Sequence, residues 1–296
     1  MVHGTPYWDG ELADPVKVHW KGQWLSSGTG TAENGGRQSD GRYFPLLISA
    51  DNQHWELCGG LLEPLPNPEL KHHWAPELRV VQSPETGGEC LQMVFSAGAT
   101  IDQMYTYVAH STEDRPVFRS AKAICHGIDG HIFGDGARRY LYRCTKRTDG
   151  ERGTAIMGNE ITPEHDLIGA QVPILQAVGP EYMTPFGYVA EGMFVVKKFG
   201  KYWMFISRGY YEWQYDTVVM EADHPLGPFT ILDPERGSFH LRSADPVRRP
   251  GHVSVYSEGQ RDTLMYHAYY MGRKVRQAFE MPLYWGPDGP SLQPLR

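Results

Sequence analysis

Three acidic residues stand in short polar motifs between strand-like runs: Asp14 in Ala-Asp-Pro, Asp129 in Ile-Asp-Gly and Glu191 in Ala-Glu-Gly. Carboxyl groups gathered from distant parts of a chain can divide their labour. One that keeps its proton serves as a general acid, and one that is ionised takes a proton from water. Each motif also has a plainer reading. Asp14 before Pro15 is a common way to start a turn, Asp129 with Gly130 is a turn pair, and Glu191 suits a solvated strand edge. The chemistry therefore depends on a fold that makes the three converge.

The elements that must position them are strands. The 296 residues include 33 glycines and 22 prolines, and 12% are aromatic. Apolar runs are short, rich in Tyr, Trp, Val and Ile, and end in turn residues, as in an all-β chain. Five segments resemble one another: HWKGQWLSSGTG (19–30), GECLQMVFSAG (88–98), GARRYLYRCTK (136–146), GKYWMFISRG (200–209) and RDTLMYHAYY (261–270). Their spacing suits four-stranded propeller blades. A short polar motif precedes each, at Asp14, Glu77, Asp129, Glu191 and His252. If the first strand of each blade lines a central channel, one ionisable residue per blade points into it. The expected fold is a five-bladed β-propeller, one catalytic domain over residues 1–296 with no accessory β-sandwich. An irregular β-sandwich is the competing fold. The segment 160–185 is the least strand-like and reads as a long irregular connection with room for one short helix.

The formal charge of −7, with no Lys/Arg-rich block, argues against nucleic-acid and anionic-membrane partners. No run of about 18 apolar residues suggests a membrane span. The start, MVHGTPYWDGELADP, has neither the basic nor the apolar region of a secretory leader, so a cytoplasmic location is expected. Cys58, Cys90, Cys125 and Cys144 form no CxxC pair, which argues against zinc and dithiol chemistry and for reduced thiols.

Six stretches, in order, resemble glycoside hydrolase family 43. They are ADPVKVHWKGQWLSSGTG, FPLLISADNQHWELCGGLL, HHWAPELRV, GIDGHIFGDGARRYLY, VAEGMFVVKKFGKYWMFISRG, and PGHVSVYSEGQRDTLMYHAYY with RQAFEMPLYWGPDGP. The resemblance covers nearly the whole chain. It implies a propeller glycosidase with Asp14 as general base, Glu191 as general acid, and Asp129 tuning and orienting the acid. It also implies that Arg276 reaches the sugar, and that His252 sits on the channel axis, binding water or helping to hold a calcium ion. No other cofactor is expected. Trp74 offers a face for a sugar, or belongs to the core. Trp213, in YYEWQYD, either borders the pocket or packs a blade. Glu77 is expected to have a structural hydrogen-bonding role, and Asp135 to be a turn residue.

Three departures from the family pattern stand out. Gly130 and Met193 replace prolines, and Glu77 replaces an aspartate. The resulting expectation is an inverting exo-glycosidase acting on a glycoside or small oligosaccharide. An α-L-arabinofuranosyl group is preferred, because no accessory domain follows. A β-D-xylosidase or an arabinan-acting hydrolase is the alternative. From another class, the propeller would serve as a carbohydrate-binding protein or an enzyme of a biosynthetic pathway.

Overall fold

A computed structural model of the chain describes residues 3–31, 36–83, 87–232 and 239–294. Their strands form five four-stranded antiparallel meanders. Blade one holds β1 (Ala13–Trp20), β2 (Gln23–Thr29), β3 (Tyr43–Ser49) and β4 (Glu56–Leu62). Blade two holds β5 (His72–Gln82), β6 (Glu89–Gly98), β7 (Met104–Ser111) and β8 (Lys122–His126). Blade three holds β9 (Ile128–Asp135), β10 (Arg138–Lys146), β11 (Thr154–Ile161) and β12 (Leu167–Gln176). A small hairpin, β13 (Met183–Thr184) with β14 (Gly187–Tyr188), leads into blade four. That blade holds β15 (Ala190–Lys198), β16 (Lys201–Tyr210), β17 (Gln214–Ala222) and β18 (Thr230–Ile231). Blade five holds β19 (Val247–Glu258), β20 (Arg261–Tyr270), β21 (Gln277–Gly286) and β22 (Gly289–Ser291). The chain is a five-bladed β-propeller.

The five similar segments contain the second strands: β2, β6, β10, β16 and β20. Neighbouring blades cover both faces of these strands, so they read as near-continuous apolar runs rather than alternating ones. In β6 every residue after Glu89 is buried, and in β16 every residue between its two ends.

The expected irregular connection at 160–185 is corrected by the structure. It carries β12 and the first strand of the small hairpin, and the short helix it had room for is a 3-10 turn at Pro180–Tyr182. β12 is an outermost strand whose residues are mostly exposed. It buries no face, so its sequence needs no alternation.

Each junction between blades has its own apolar cluster. Val16 and Leu25 meet Leu78 and Met93, and Val94 and Val108 meet Ile132 and Leu141. Phe133 and Tyr142 meet Met193 and Met204, and Trp203 and Phe205 meet Val253 and Leu264. At roughly 2 kcal/mol for each fully buried large side chain, these junctions are the main attraction between blades.

The fifth junction closes the ring and is the least apolar. Its buried apolar residues are Leu12, Leu47 and Ala278, flanked by Tyr7, Trp8 and Trp55. Backbone hydrogen bonds supplement them: Tyr7 N–H donates to Ala278 at 3.0 Å and Leu12 N–H to Arg276 at 2.9 Å. Inside the seam, the fully buried Lys17 ammonium meets Glu280 at 2.5 Å and Asn52 at 3.1 Å. It also lies 3.9 Å from the centre of the Tyr7 ring.

Candidate active site

The innermost strand of every blade is interrupted at the same depth by a residue with left-handed backbone. These residues are Asp14 (φ 50°), Ala75 (48°), Asp129 (56°), Gly192 (60°) and His252 (49°). The pairing register slips beside each of them, as at a β-bulge. Left-handed backbone costs a non-glycine residue about 1–2 kcal/mol, less for Asp or His than for Ala.

A hydrogen bond anchors each of the five. Its N–H donates to a side chain of the preceding blade: Asp14 to His267 (3.1 Å), Ala75 to Thr29 (2.8 Å) and Asp129 to Ser96 (2.9 Å). Gly192 donates to Asp129 (3.0 Å) and His252 to Ser207 (2.8 Å). Asp14, Ala75, Asp129 and His252 thereby face the channel cavity. At Gly192 a Cβ would lie 3.0 Å from the His252 ring, so glycine there makes room for that histidine.

The geometry adjusts the expectation of one ionisable residue per blade. In blade two the bulge residue is Ala75, and Glu77 lies two residues further along β5. There its carboxylate meets His131 Nδ1 at 2.6 Å. Glu191 directly precedes the bulge residue Gly192, and Tyr215 donates to its Oε1 at 2.9 Å.

Asp14, Asp129, Glu191 and His252 act on one another electrostatically. Burial opposes the charge on Asp14. Against it, His252 Nδ1 at 3.1 Å and the Arg276 guanidinium at 3.8 Å hold its carboxyl well below the usual range. Thr29 adds a hydrogen bond to Oδ2 at 2.6 Å. Burial and the charge of Asp129 push the Glu191 carboxyl up to about 7. Burial also raises Asp129, as does Asp14, while Gly192 N–H favours its charged form. Burial works against protonation of His252, but Asp14, Asp129 and Glu191 outweigh it and raise its pKa. Burial lowers His267 to about 4, so its ring is neutral. Its Nδ1 lies 3.1 Å from both N and Oδ1 of Asp14 and can satisfy only one. The backbone N–H, whose direction is fixed, takes it.

Asp14, Asp129, Glu77 and His252 border a cavity of about 20 Å³, room for one water. A larger cavity of about 310 Å³ lies further along the strands, among Lys17, Arg79 and Lys197.

The other expected residues do not form one group. Arg276 is largely buried, with its guanidinium 4.1 Å from the centre of the Tyr211 ring. Trp74, half-buried beside Ala75, tilts against His72 at 5.3 Å. Trp213 is 67% exposed in the β16–β17 turn and has no contact with the carboxyl groups, so of its two expected roles packing a blade does not apply. Asp135 pairs with Lys197 and Tyr202 at the end of β9, away from the other acids. The residues that sequence reasoning passed over are Tyr215, Tyr211 and Thr29. They come from second strands, third strands and turns, where no polar motif marks them.

A calcium ion needs six to eight oxygen ligands. Around His252 the nearby acids are Asp14 and Asp129, already engaged by Thr29 and Gly192. Among the described residues no group of three His, Cys, Asp or Glu side chains is placed to hold a metal ion. These donors do not fit a calcium site, and no chemistry is assigned to one.

A family model described as glycosyl hydrolases family 43 matches residues 4–290. The chain belongs to this family. It is accordingly a glycoside hydrolase whose substrate is a carbohydrate. No curated protein sequence matches it. Among solved structures it is similar to an endo-1,4-beta-xylanase from Bacteroides thetaiotaomicron, with TM-score 0.77 and 20% identity over 97% of this chain and 95% of that one. It is also similar to an alpha-L-arabinofuranosidase from Lactobacillus brevis, with TM-score 0.74 and 17% identity over 96% and 94%. A xylan beta-1,4-xylosidase from Bacillus halodurans gives TM-score 0.73 and 18% identity, over 99% of this chain and 56% of that one.

The structure accounts for the three departures in this family 43 chain. A Cβ at Gly130 would fall 2.3 Å from Thr106 Cγ2, so proline is excluded there. Met193 is buried between blades three and four, where a flexible side chain fills the junction. Glu77 meets the next blade through His131. Among the described residues no helix is long and apolar enough to cross a membrane.

Proposed function

We propose that the chain is an inverting, exo-acting glycosidase that releases α-L-arabinofuranosyl groups. The observation that carries the acid–base assignment is the opposite poise of two carboxyl groups from different blades. Asp14 is held ionised, and Glu191 is held protonated up to about pH 7.

On this reading Asp14 takes a proton from the attacking water while Glu191 protonates the departing oxygen. Asp129 keeps the proton on Glu191 and, through Gly192 N–H, fixes the backbone beside it. Inversion requires about 6.5–9.5 Å between acid and base so that water fits on one side of the sugar. Origins in blades one and four suit such a gap. Arg276, close to Asp14 and the Tyr211 ring, offers donors to sugar hydroxyls. Trp74 and Trp213 offer faces to the sugar ring and to the leaving group. His252 orients Asp14. Likeness in fold to an alpha-L-arabinofuranosidase supports the choice of arabinofuranosyl.

A panel of nitrophenyl glycosides tests the sugar, and NMR of the first-formed product tests the stereochemistry. Fastest release from the arabinofuranoside, with inverted anomer, is expected. Preference for the xyloside replaces the sugar, and a retained anomer removes Asp14 as base.

A further inference from the structure

Glu191 is not left to find its own orientation. On the reading of Glu191 as proton donor, we propose that Tyr215 is its positioning residue: the hydroxyl donates to Oε1 and leaves Oε2 to carry the transferable proton.

Tyr215 comes from β17, the third strand of the blade whose first strand carries Glu191. The residue is 2% exposed, and its hydroxyl donates to Glu191 Oε1 at 2.9 Å. Two features hold the ring still. It stacks on His267, with planes 4° apart and centroids at 5.7 Å. It also occupies the space above Gly251, where a Cβ would lie 2.1 Å from a ring carbon. Only glycine at 251 admits the ring. The same His267 accepts the N–H of Asp14, so one stack sets both the proposed acid and the proposed base.

Burial and the nearby acids keep the phenol protonated far above neutral pH. It is therefore a donor whatever the state of Glu191. In the proposed step the Oε2–H bond breaks and its proton passes to the glycosidic oxygen. That oxygen keeps the electron pair of the broken bond to carbon. Water forms the new bond to carbon and gives its proton to Asp14. Glu191 is then a carboxylate, and the hydrogen bond from Tyr215 becomes charge-assisted and stronger. An interaction that strengthens along the step lowers its barrier. The other titratable groups facing Glu191 are Asp129 and Cys144 from blade three, His252 from blade five and Asp14 from blade one.

Tyr215→Phe keeps the ring and removes the donor. Compared with the parent, its kcat on an alkyl glycoside should fall about 10-fold or more at unchanged KM. A glycosyl fluoride, whose leaving group needs no proton, should be cleaved as before. The high-pH limb of activity should move up by about one unit. The NMR titration of ¹³C-labelled Glu191 carboxyl should move with it. An equal loss on both substrates, or an unmoved Glu191 titration, overturns the proposal. The titration needs no turnover. Should the parent cleave no glycoside, the donor role of Glu191 falls, and the titration alone still decides whether Tyr215 holds that carboxyl.

Discussion

Asp14 and Glu191 are chemically near-identical groups in one channel, and their surroundings drive them apart. Cations lie beside Asp14, whereas Glu191 has burial and a neighbouring acid. The sign of the pH dependence follows. A donor must be protonated, so activity falls as pH rises through about 7. Asp14 stays ionised across the working range and adds no limb near neutrality. Glu191→Gln should lower kcat on poor leaving groups by about 10² to 10⁴ and spare much of the rate on glycosyl fluorides. Asp14→Asn should be inactive on both. Parental rates in the Asn variant would remove Asp14 from the mechanism.

At the scale of elements, four junctions are apolar and the closing one is built around an ion pair. Lys17 has no exposed side-chain surface and Glu280 has 30%. Burial lowers the Lys17 pKa even with Glu280 beside it. Removing the acid strands a buried cation, so Glu280→Ala should cost about 3 kcal/mol, measured by urea unfolding. A midpoint equal to the parent's would show that the pair adds nothing. Legibility in the sequence follows the same division. Second strands such as β6 and β16 announce themselves because both faces are buried. β12, exposed along most of its length, reads as a loop. Asp14, Asp129 and His252 were found because polar residues interrupt apolar strands. Glu77 does border the channel cavity, but the bulge residue of blade two is Ala75, because sequence spacing does not count a bulge. Tyr215 was passed over because its link to Glu191 exists only after two hairpins fold together.

Across the whole molecule, three buried histidines contribute to the behaviour in acid. Burial lowers His73, His165 and His267 to about 4 from an unfolded value of 6.5. Between those values the unfolded chain binds protons that the folded chain refuses. Their contribution is therefore complete above pH 6.5 and is lost as pH falls toward 4. His252 and Asp129, with raised pKa values, and Glu191, raised to about 7, run the opposite way, while the lowered His3 adds to the three. Unfolding free energy should decline over this window, and His165→Gln should flatten the decline. A slope unchanged in that variant would assign the acid sensitivity elsewhere.

The five left-handed positions have one more implication. Each blade presents a backbone station of the same shape, already anchored by the blade before it, whatever side chain it bears. New chemistry at the axis thus asks for an exchange of one residue rather than a rebuilt loop. Blades two and four keep their stations blank: Ala75 holds the required backbone and its bond to Thr29 but projects only a methyl group, and Gly192, bonded to Asp129, projects none.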